Sequence, residues 1–391
     1  MDRLPQELIL DILSRLPTPS LVQFRSVSRA WRILIRDKAL VNKHFNRLAE
    51  NDPTFILKIR DQPAQNQLYL GDFSSDVGDM TIMTKKLTMP PLPSFHLVSS
   101  CNGLLCLRGT HASFGLICIY NPFTRDYIEL PKLIAKHPSH HVGVLGFGFD
   151  ATTEKYKVVE VLYKGITRRD FTSSSSSSSS IESVVHILSV GSPTWRNLGN
   201  FPFHFMWQKS QVLVNGKLHW ICYPDKNNAT NLIMSFDLAD EQFQEVPMPD
   251  CISYDRELHE LVVLRGCLSA VSFDDDNKEL EIWVMKEYGV RECWVKEFSI
   301  GAYVPRTLQA NDEQVSLNSS MYWAPKICMR VVCLLRNGGI LLEYRGKAFV
   351  VYDPHSRTFQ DLHLTFEGIH RCFRAVVHVA CLNWIDTFLN T

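Results

Sequence analysis

The sequence predicts an α+β protein of two parts, a small amino-terminal helical module and a longer, mainly antiparallel β domain. Three observations predict this fold class. Apolar residues recur with the helical period of 3.6 over residues 1–48, and beyond residue 50 they alternate with the period of two that is typical of strands. A turn motif then recurs along the β region at a constant spacing, which indicates a repeated structural element.

The first predicted helix lies near the amino terminus. Its apolar residues share one helix face, and they are Leu8, Ile9, Ile12, Leu13 and Leu16. Pro5 suits the first turn of this helix, where its missing N–H would have no partner, and Pro17 ends the helix. Thr18 and Pro19 then predict the N-cap and the first residue of a second helix.

Two further helices complete the predicted module. The third carries Trp31, Leu34 and Ile35 at helical spacing, and the fourth starts at Asp37. A segment this short forms only a small core, yet it carries many large apolar side chains, each worth roughly 1.5–3 kcal/mol when fully buried. Two interpretations follow from the pattern. Either the module completes its core against a partner protein, or it is a helical cap packed on the rest of the chain.

The order and spacing of residues 4–31 carry a resemblance to a known family. The matching residues are Leu4-Pro5, Glu7-Leu8-Ile9, Ile12-Leu13, Leu16-Pro17, Ser20-Leu21, Phe24-Arg25-Ser26-Val27 and Trp31. This set resembles an F-box, and Ser28 departs from it by replacing the Cys of many members with another small residue. F-boxes bind the Skp-type adaptor of cullin-based ubiquitin ligases, so the resemblance implies that adaptor as a partner and, through it, a cullin.

The resemblance also implies which residues contact the adaptor. They are Leu4, Pro5, Leu8, Ile9, Ile12, Leu13, Leu16 and Pro17. Some of these residues, together with Trp31, are expected to hold the module together instead. The motif alone does not separate the two roles.

Composition and charge exclude several classes of protein. The chain has 391 residues, of which 45% are hydrophobic and 11% aromatic, as is typical of a globular protein with room for more than one domain. Its 41 Lys and Arg balance 41 Asp and Glu, so no net field attracts nucleic acid or an anionic membrane. The start of the chain does not resemble a signal peptide, and the longest apolar runs are too short for a membrane span. With 11 cysteines and no C-x-x-C pair, we expect a soluble protein of the cytoplasm, the nucleus or both, with reduced thiols.

The β region is predicted to begin directly after the module. The predicted domains are residues 1–48 for the module, 49–95 for a connecting segment with the first strands, and 96–391 for the main β domain. The first strand-like run covers residues 55–59. From residue 96 onward, short strand patterns alternate with turn signals.

Three copies of a turn motif mark the repeated element. Each copy starts with a tight turn, and the turns are Asn102-Gly103, Asn215-Gly216 and Asn337-Gly338. The next strand ends in an Asn or Asp that is expected to hydrogen-bond its own turn, and these residues are Asn121, Asp237 and Asp353. They are 116 residues apart in both intervals, and an aromatic residue follows each of them at the sixth position.

The spacing favours a β-propeller of about six blades. If 116 residues hold two repeats, each repeat has about 58 residues, and residues 51–391 hold about six repeats, within the usual range for propellers. Closure of the ring requires residues 55–59 to pair near residues 375–379. A two-sheet β-sandwich is the alternative, but a sandwich gives no reason for a long, regular period.

Several stretches of the β region carry a second resemblance. They are residues 100–106, 120–125, 146–150, 156–159, 213–220 and 233–238, and Trp195 and Trp294 resemble the late-blade tryptophans of kelch-type repeats. Together these stretches resemble the F-box-associated domain of plant F-box proteins. The resemblance implies a kelch-like β-propeller that recognises a target protein. The group includes defence regulators and the S-locus F-box proteins, which recognise self-incompatibility ribonucleases.

No motif predicts catalysis, a metal site or a cofactor. Residues 137–141 contain three histidines, but a proline among them argues against a helix, so a loop is the better interpretation than a zinc site. The three glycines of residues 143–148 lack the dinucleotide-binding spacing and indicate bulges or close packing within strands. Residues 274–277 lack the Gly and Glu of an EF-hand loop and indicate a hairpin turn. The serine run 173–180 indicates a polar loop.

The sequence therefore predicts a non-catalytic substrate receptor. Its module docks on the adaptor, and its β domain holds a target protein for ubiquitination. One alternative is a propeller enzyme or sugar-binding protein of galactose-oxidase-like architecture, and another is an F-box scaffold that degrades nothing. The candidate target-binding loops are residues 164–182, 223–231 and 302–326, with Tyr303, Tyr322 and Trp323 as candidate aromatic anchors.

Overall fold

The computed structural model describes residues 5–51, 53–60, 67–74, 80–90, 92–110, 115–133, 143–163, 183–205, 211–223, 232–249, 258–274, 276–309, 329–365 and 372–385. The chain divides into two compact units. One consists of residues 1–130 and 305–391, and the other of residues 131–304. The α-helices and two sheets belong to the first unit, and three sheets and a short 3-10 helix, Arg291–Cys293, belong to the second.

Four helices form the amino-terminal module, and they are α1 (Gln6–Leu13), α2 (Thr18–Phe24), α3 (Arg29–Ile35) and α4 (Lys38–Ala49). Two of them begin at side-chain caps. Ser28 Oγ accepts from the N–H of Trp31 at 3.3 Å, and Asp37 Oδ1 accepts from the N–H of Ala39 at 2.8 Å. The predicted start of the fourth helix at Asp37 is thus confirmed. A short α5 (Arg306–Gln309) follows much later in the chain.

The predicted starts of the first two helices are each wrong by one residue, since Pro5 was expected in the first turn of α1 and Thr18 at the N-cap of α2. The first helix also ends at Leu13, four residues before Pro17, which was expected to end it. Pro5 and Pro17 are the N-caps of α1 and α2, with ψ of 141° at both, and Thr18 already lies inside its helix. The fixed φ of proline suits an N-cap as well as a first helical turn, so the residue type alone does not choose between the two positions.

The β region contains twenty-five strands within the described residues. They are β1 (Thr54–Ile59), β2 (Leu68–Ser74), β3 (Thr81–Lys86), β4 (Phe95–Cys101), β5 (Leu104–Gly109), β6 (Ile117–Tyr120), β7 (Tyr127–Glu129), β8 (Gly143–Asp150), β9 (Lys155–Tyr163), β10 (Ser183–Ser189), β11 (Arg196–Asn200), β12 (His204–Phe205), β13 (Val212–Val214), β14 (Lys217–Tyr223), β15 (Leu232–Asp237), β16 (Phe243–Val246), β17 (Leu258–Leu264), β18 (Cys267–Asp274), β19 (Glu279–Met285), β20 (Trp294–Ile300), β21 (Met329–Leu334), β22 (Ile340–Tyr344), β23 (Ala348–Asp353), β24 (Thr358–Thr365) and β25 (Phe373–His378).

The first compact unit holds a four-stranded and an eight-stranded sheet. β4 to β7 form the smaller sheet, and the larger has the order β21-β22-β23-β24-β3-β2-β1-β25. β1 pairs antiparallel with β25, so that Phe55 lies opposite Val377. This pairing confirms the predicted contact between residues 55–59 and residues 375–379. A parallel pair, with His363 opposite Thr81, joins the two halves of the larger sheet.

The second compact unit holds three antiparallel sheets. They are built from β8 to β11, from β12 to β16 and from β17 to β20. If the eight-stranded sheet is divided at its parallel pair, the described residues of the two units contain six groups of four or five antiparallel strands. This organisation agrees with the predicted number of about six repeats.

The repeated turns have the predicted chemistry, with one difference. Asn102 and Gly103 have φ of 45° and 77°, and Asn215 and Gly216 have φ of 51° and 73°, as a tight hairpin turn requires. In the third copy Gly338 has φ of 86°, while the side chain of Asn337 accepts from the N–H of Gly339 at 2.9 Å. The third turn differs because five residues separate β21 from β22, whereas two residues separate β4 from β5 and β13 from β14.

The Asn and Asp residues at the ends of the repeated strands cap their own turns. In each copy one side-chain oxygen accepts from the N–H two residues later. The acceptors are Asn121, Asp237 and Asp353, and the distances are 2.9, 2.8 and 2.9 Å. The predicted capping role of these residues is confirmed in all three copies.

The glycines of β8 allow close packing within the second compact unit. A Cβ atom on Gly146 would lie 2.5 Å from Trp220 Cζ2, and one on Gly148 would lie 2.7 Å from Leu238 Cδ1. Real Cβ atoms do not approach that closely, because the side-chain atoms already fill the space. The prediction of close packing is confirmed.

Trp195 and Trp294 have the same role in two sheets of the second compact unit. Trp195 Nε1 donates to the carbonyl of Pro131 at 2.7 Å, and Trp294 Nε1 donates to the carbonyl of Pro247 at 2.8 Å. Pro131 and Pro247 follow β7 and β16, each the last strand of its sheet. Trp195 and Trp294 lie near the start of β11 and β20, the last strands of the next sheets along the chain. The two indole N–H groups thus satisfy equivalent loop carbonyls.

Candidate protein interface

Helix α1 divides its apolar residues between the interior and the surface. Leu13 is buried, whereas Leu8 and Ile12 are 51% and 53% exposed. Leu8 and Ile12 are four residues apart and therefore lie on one side of the helix. The broad apolar stripe predicted for α1 thus serves two purposes, since one edge enters the core and the other faces solvent.

The eight residues predicted to contact the adaptor fall into four groups. Pro5, Leu8, Ile12 and Pro17 are exposed, Ile9 and Leu16 are half-buried, and Leu13 is buried, while Leu4 lies outside the described residues. The structure thus brings Leu8 and Ile12 together on the surface and places Leu13 among the residues that hold the module together.

Two further exposed apolar side chains were absent from the predicted site. Val27, between α2 and α3, is 65% exposed, and Ile33 in α3 is 66% exposed. The sequence carries a weak signal for Ile33, which is apolar but lies off the stripe formed by Trp31, Leu34 and Ile35. Val27 lies outside the helices, where helical periodicity gives no information.

The core of the module includes residues from the other end of the chain. Its buried members are Leu13, Leu21, Ile35, Leu40, Val41, Cys381, Leu382 and Trp384. Partly buried residues, such as Phe24 and Trp31 with ring centroids 5.1 Å apart, pack against this cluster. The module therefore packs on its own chain, as one interpretation of the sequence expected, and among its described residues it still exposes four large apolar side chains.

A charge cluster joins α1 to α4. Asp11 forms ion pairs with Arg15 at 2.9 Å, Lys43 at 2.7 Å and Arg47 at 2.7 Å. The hydrogen bond from Lys43, followed by that from Arg15, lowers the pKa of Asp11 to about 2. Nearby, His44 Nε2 lies 3.0 Å from the carbonyl oxygen of Leu16, and burial lowers the pKa of this imidazole. These contacts fix the helix that carries Leu8 and Ile12.

The chemistry of this surface suits protein docking. Exposed apolar side chains at helical spacing offer area for burial against a partner. Among the described residues, no group of three or more His, Cys, Asp or Glu side chains is placed to hold a metal ion. Nor is any described helix long and apolar enough to cross a bilayer.

Several of the other predicted features lie outside the described residues. This is true of the histidines at 137–141, the serine run 173–180, Tyr322 and Trp323. Tyr303 is described and half-buried. Asp274 Oδ1 accepts from the N–H of Asp276 at 3.1 Å and from that of Asn277 at 3.4 Å, which confirms the predicted hairpin turn.

Two family matches together cover most of the chain. Residues 1–43 match the F-box domain, and residues 49–320 match the F-box associated beta propeller domain. The first match contains α1 to α3, with all four of the exposed apolar residues described above. The second begins at the end of α4 and continues through β20.

The chain is also similar over much of its length to several proteins of Arabidopsis thaliana. The F-box protein At3g07870 is 38% identical over 100% of this chain and 94% of its own length. The F-box protein CPR1 is 26% identical over 93% of this chain and 85% of its own length. The F-box/kelch-repeat protein At3g23880 is 27% identical over 76% of this chain and 79% of its own length.

Proposed function

This chain belongs to the F-box proteins that carry an F-box-associated β-propeller domain, and from that premise we propose that it is the substrate-recognition subunit of a Skp–cullin–F-box ubiquitin ligase. An F-box implies binding to a Skp-type adaptor, and members of the family are generally non-catalytic adaptors. In this proposal the helical module binds the adaptor, and the β domain holds a target protein near a ubiquitin-charged enzyme. The receptor contributes proximity and orientation.

The exposed pair Leu8 and Ile12 is the observation that supports this proposal most directly. Both side chains lie within the F-box match and are about half exposed, although the neighbouring Leu13 is buried. Burying such a side chain fully against a partner is worth roughly 1.5–3 kcal/mol. We propose that Pro5, the N-cap of α1, and Pro17, the N-cap of α2, border this contact, and that the half-buried Ile9 and Leu16 pack beneath it.

The proposal is tested by binding of the full chain to a purified plant Skp-type adaptor. Replacing Leu8 and Ile12 together with Asp is expected to weaken binding by at least about a hundredfold, because two apolar contacts are lost and two charges are added. Val295→Asp is the matched control, since Val295 is 45% exposed on β20 of the β domain. Circular dichroism of each variant confirms that the fold is retained.

Two results would contradict the proposal. One is an intact, folded chain that does not bind the adaptor at micromolar concentration. The other is a double variant that binds as tightly as the control. A receptor that only scaffolds its target is distinguished by the half-life of a captured target, which lengthens on proteasome inhibition only if the ligase degrades it.

The place of target binding and the site of action in the cell are part of the same proposal. We assign target binding to residues 96–391, with residues 49–95 as the connecting segment and first strands. We also propose that the receptor acts in the cytoplasm, the nucleus or both, which a fluorescent fusion expressed in plant cells tests directly.

A further inference from the structure

Residues 380–385, here called the strap, lie between the helical module and the sheet of β4 to β7. On the module side, Cys381, Leu382 and Trp384 are almost fully buried in the core that α1 to α4 share. The guanidinium carbons of Arg25 and Arg36 lie 5.2 and 5.0 Å from the centre of the Trp384 ring. The strap therefore supplies three side chains to a core that the module does not complete alone.

The sheet side of the strap is held by two asparagines. Asn121 Nδ2 donates to the carbonyl of Cys381 at 3.1 Å and to that of Asn383 at 2.8 Å. Asn383 Nδ2 in turn donates to the carbonyl of Asn102 at 2.8 Å. Asn121 is completely buried, so these hydrogen bonds form without competition from solvent.

The strap also rests directly on the first repeated turn. A Cβ atom on Gly103 would lie 2.2 Å from Cys381 Cβ and 2.8 Å from the Cys381 nitrogen. At the equivalent turn of the second copy, a Cβ atom on Gly216 would have no neighbour within 4 Å, although its φ of 73° is close to the 77° of Gly103. Only at the first of these two turns would a Cβ atom on the glycine collide with another segment.

The sequence of the repeats differs at the position that binds the strap. The capping residue is Asn121 in the first copy and Asp237 or Asp353 in the others, and all three accept from their own turn through Oδ1. A carboxylate caps such a turn as well as an amide does, but it has no N–H to donate. The amide of Asn121 is thus explained by the strap and not by its turn.

We propose that the strap makes adaptor binding dependent on the β domain, with Asn121 and Gly103 as positioning residues for an adaptor that they do not touch. This inference rests on the proposed function. The sheet holds the strap, the strap completes the module core, and the core presents Leu8, Ile12, Val27 and Ile33. If the strap is released, the module is folded for a smaller fraction of the time, and the apparent dissociation constant of the adaptor rises in inverse proportion to that fraction.

The first test exchanges the amide and the acid. Asn121→Asp keeps the Oδ1 acceptor for the turn but loses both donations to the strap, so we expect adaptor binding to weaken about tenfold or more. The matched control is Asp353→Asn, which makes the reverse change at the equivalent position of the third copy and is expected to leave binding unchanged. Each variant exchanges an amide NH2 group and a carboxylate oxygen, so the size of the side chain is nearly unchanged.

The second test uses sterics. Gly103→Ala and Gly216→Ala place the same methyl group on the same kind of turn, so both incur the same cost of a positive φ. Only the first collides with the strap, so we expect Gly103→Ala to weaken adaptor binding about as much as Asn121→Asp. We expect Gly216→Ala to bind the adaptor like the intact chain.

Hydrogen–deuterium exchange of the free full chain provides a readout that is independent of the adaptor. In Asn121→Asp and Gly103→Ala, the amides of α1 to α4 are expected to exchange at least about tenfold faster than in the intact chain. The exchange rates of the strand amides in the second compact unit are expected to stay the same. If the intact chain binds the adaptor and all four variants match it in both measurements, this inference is overturned and the proposed function stands. If the intact chain fails to bind, the proposed function fails, and unchanged exchange in the two strap variants would then refute the coupling itself.

Discussion

Lys157 Nζ lies 3.0 Å from Asp150 Oδ2, and both side chains are almost fully buried in the second compact unit. The same ammonium donates to Glu241 Oε1 at 3.0 Å and to the carbonyl of Leu238 at 2.6 Å. It thereby joins the sheet of β8 to β11 to the turn that follows β15. Burial alone would raise the pKa of Asp150, but the hydrogen bonds from Thr153 and Lys157 outweigh burial and lower it.

We predict that Lys157→Met destabilises the protein by about 3–5 kcal/mol, because it leaves the buried carboxylate of Asp150 without its cation, whereas Glu241 keeps its ion pair with Arg196. Adding Asp150→Asn should recover a large part of that loss, since Asn removes the charge and still accepts from the N–H of Thr152. Urea denaturation of the two variants and the intact chain measures both effects. A double variant as unstable as Lys157→Met would show that the buried charge of Asp150 is not the cause.

Val27 and Ile33 are predicted to belong to the adaptor contact together with Leu8 and Ile12. Val27→Asp and Ile33→Asp should each weaken adaptor binding by about tenfold or more, because burying one large apolar side chain is worth roughly 1.5–3 kcal/mol. Isothermal titration calorimetry with the adaptor measures the change. Leu198→Asp is the control, since Leu198 is 36% exposed on β11, outside the module. If Val27→Asp and Ile33→Asp bind the adaptor as tightly as the control Leu198→Asp does, the contact is confined to α1.

Buried histidines are predicted to make the protein less stable at mildly acidic pH. Burial lowers the pKa of His219, whose Nε2 lies 2.7 Å from Tyr288 Oη, to about 4, and that of His378 to about 3. In the unfolded chain these imidazoles take up a proton near pH 6.5. Their contribution to the free energy of unfolding is therefore complete above pH 6.5, and it is lost as the pH falls to about 4 for His219 and to about 3 for His378. Each such imidazole contributes a slope of about 1.4 kcal/mol per pH unit within its window.

The slope is measured by urea unfolding between pH 7.5 and pH 5. His219→Gln keeps a group that can hydrogen-bond Tyr288 and should reduce the slope, whereas the exposed His363→Gln should leave it unchanged. If His219→Gln and the intact chain have identical pH profiles, then His219 is not a source of the acid sensitivity.

Gln211, next to β13, is predicted to stabilise the second compact unit through two hydrogen bonds to β8. Its Oε1 accepts from the N–H of Phe147 at 2.7 Å, and its Nε2 donates to the carbonyl of Phe147 at 2.6 Å, so one amide satisfies both backbone groups of a β8 residue. Gln211→Glu removes the donor and buries a charge, and it should cost about 2–3 kcal/mol at pH 7. Because burial raises the pKa of such a carboxyl, the difference from the intact chain should shrink as the pH falls.

Gln244→Glu is the control for this variant, because Gln244 is exposed on β16. Thermal unfolding followed by near-ultraviolet circular dichroism compares the two at pH 7 and pH 5. A loss for Gln211→Glu that does not depend on pH would point to a steric cause and not to the buried charge.

The parts of the fold that the sequence predicted are those with a local period or a local turn. The stripe of α1, the caps Asn121, Asp237 and Asp353, and the alternation of the strands all depend on neighbours within a few residues. The pairing of residues 55–59 with residues 375–379 was predicted from the regular repeat, which carries information over long distances. The starts of α1 and α2 were wrong by one residue, because the proline ring fits an N-cap as well as a first helical turn.

The division of the candidate site between surface and core was not predictable. Leu13 and Ile12 are adjacent and equally apolar, and only the position of α4 and the strap decides which of them is buried. The strap has no period of its own, and its partners lie more than 250 residues earlier in the chain. One feature of the sequence indicates the donation from Asn121, which is that this copy has an amide where the other copies have the acids Asp237 and Asp353.

The pairing of β1 with β25 has a consequence for synthesis on the ribosome. Phe55 and Val377 are 322 residues apart, so at usual elongation rates β1 waits roughly 16–64 s for its partner. During that time its apolar side chains and one open edge are available to chaperones. The strap is translated later still, so a polypeptide interrupted shortly before residue 373 lacks both β25 and the strap. If adaptor binding depends on the strap as proposed above, an interrupted message yields a chain that binds the adaptor more weakly than the intact receptor does.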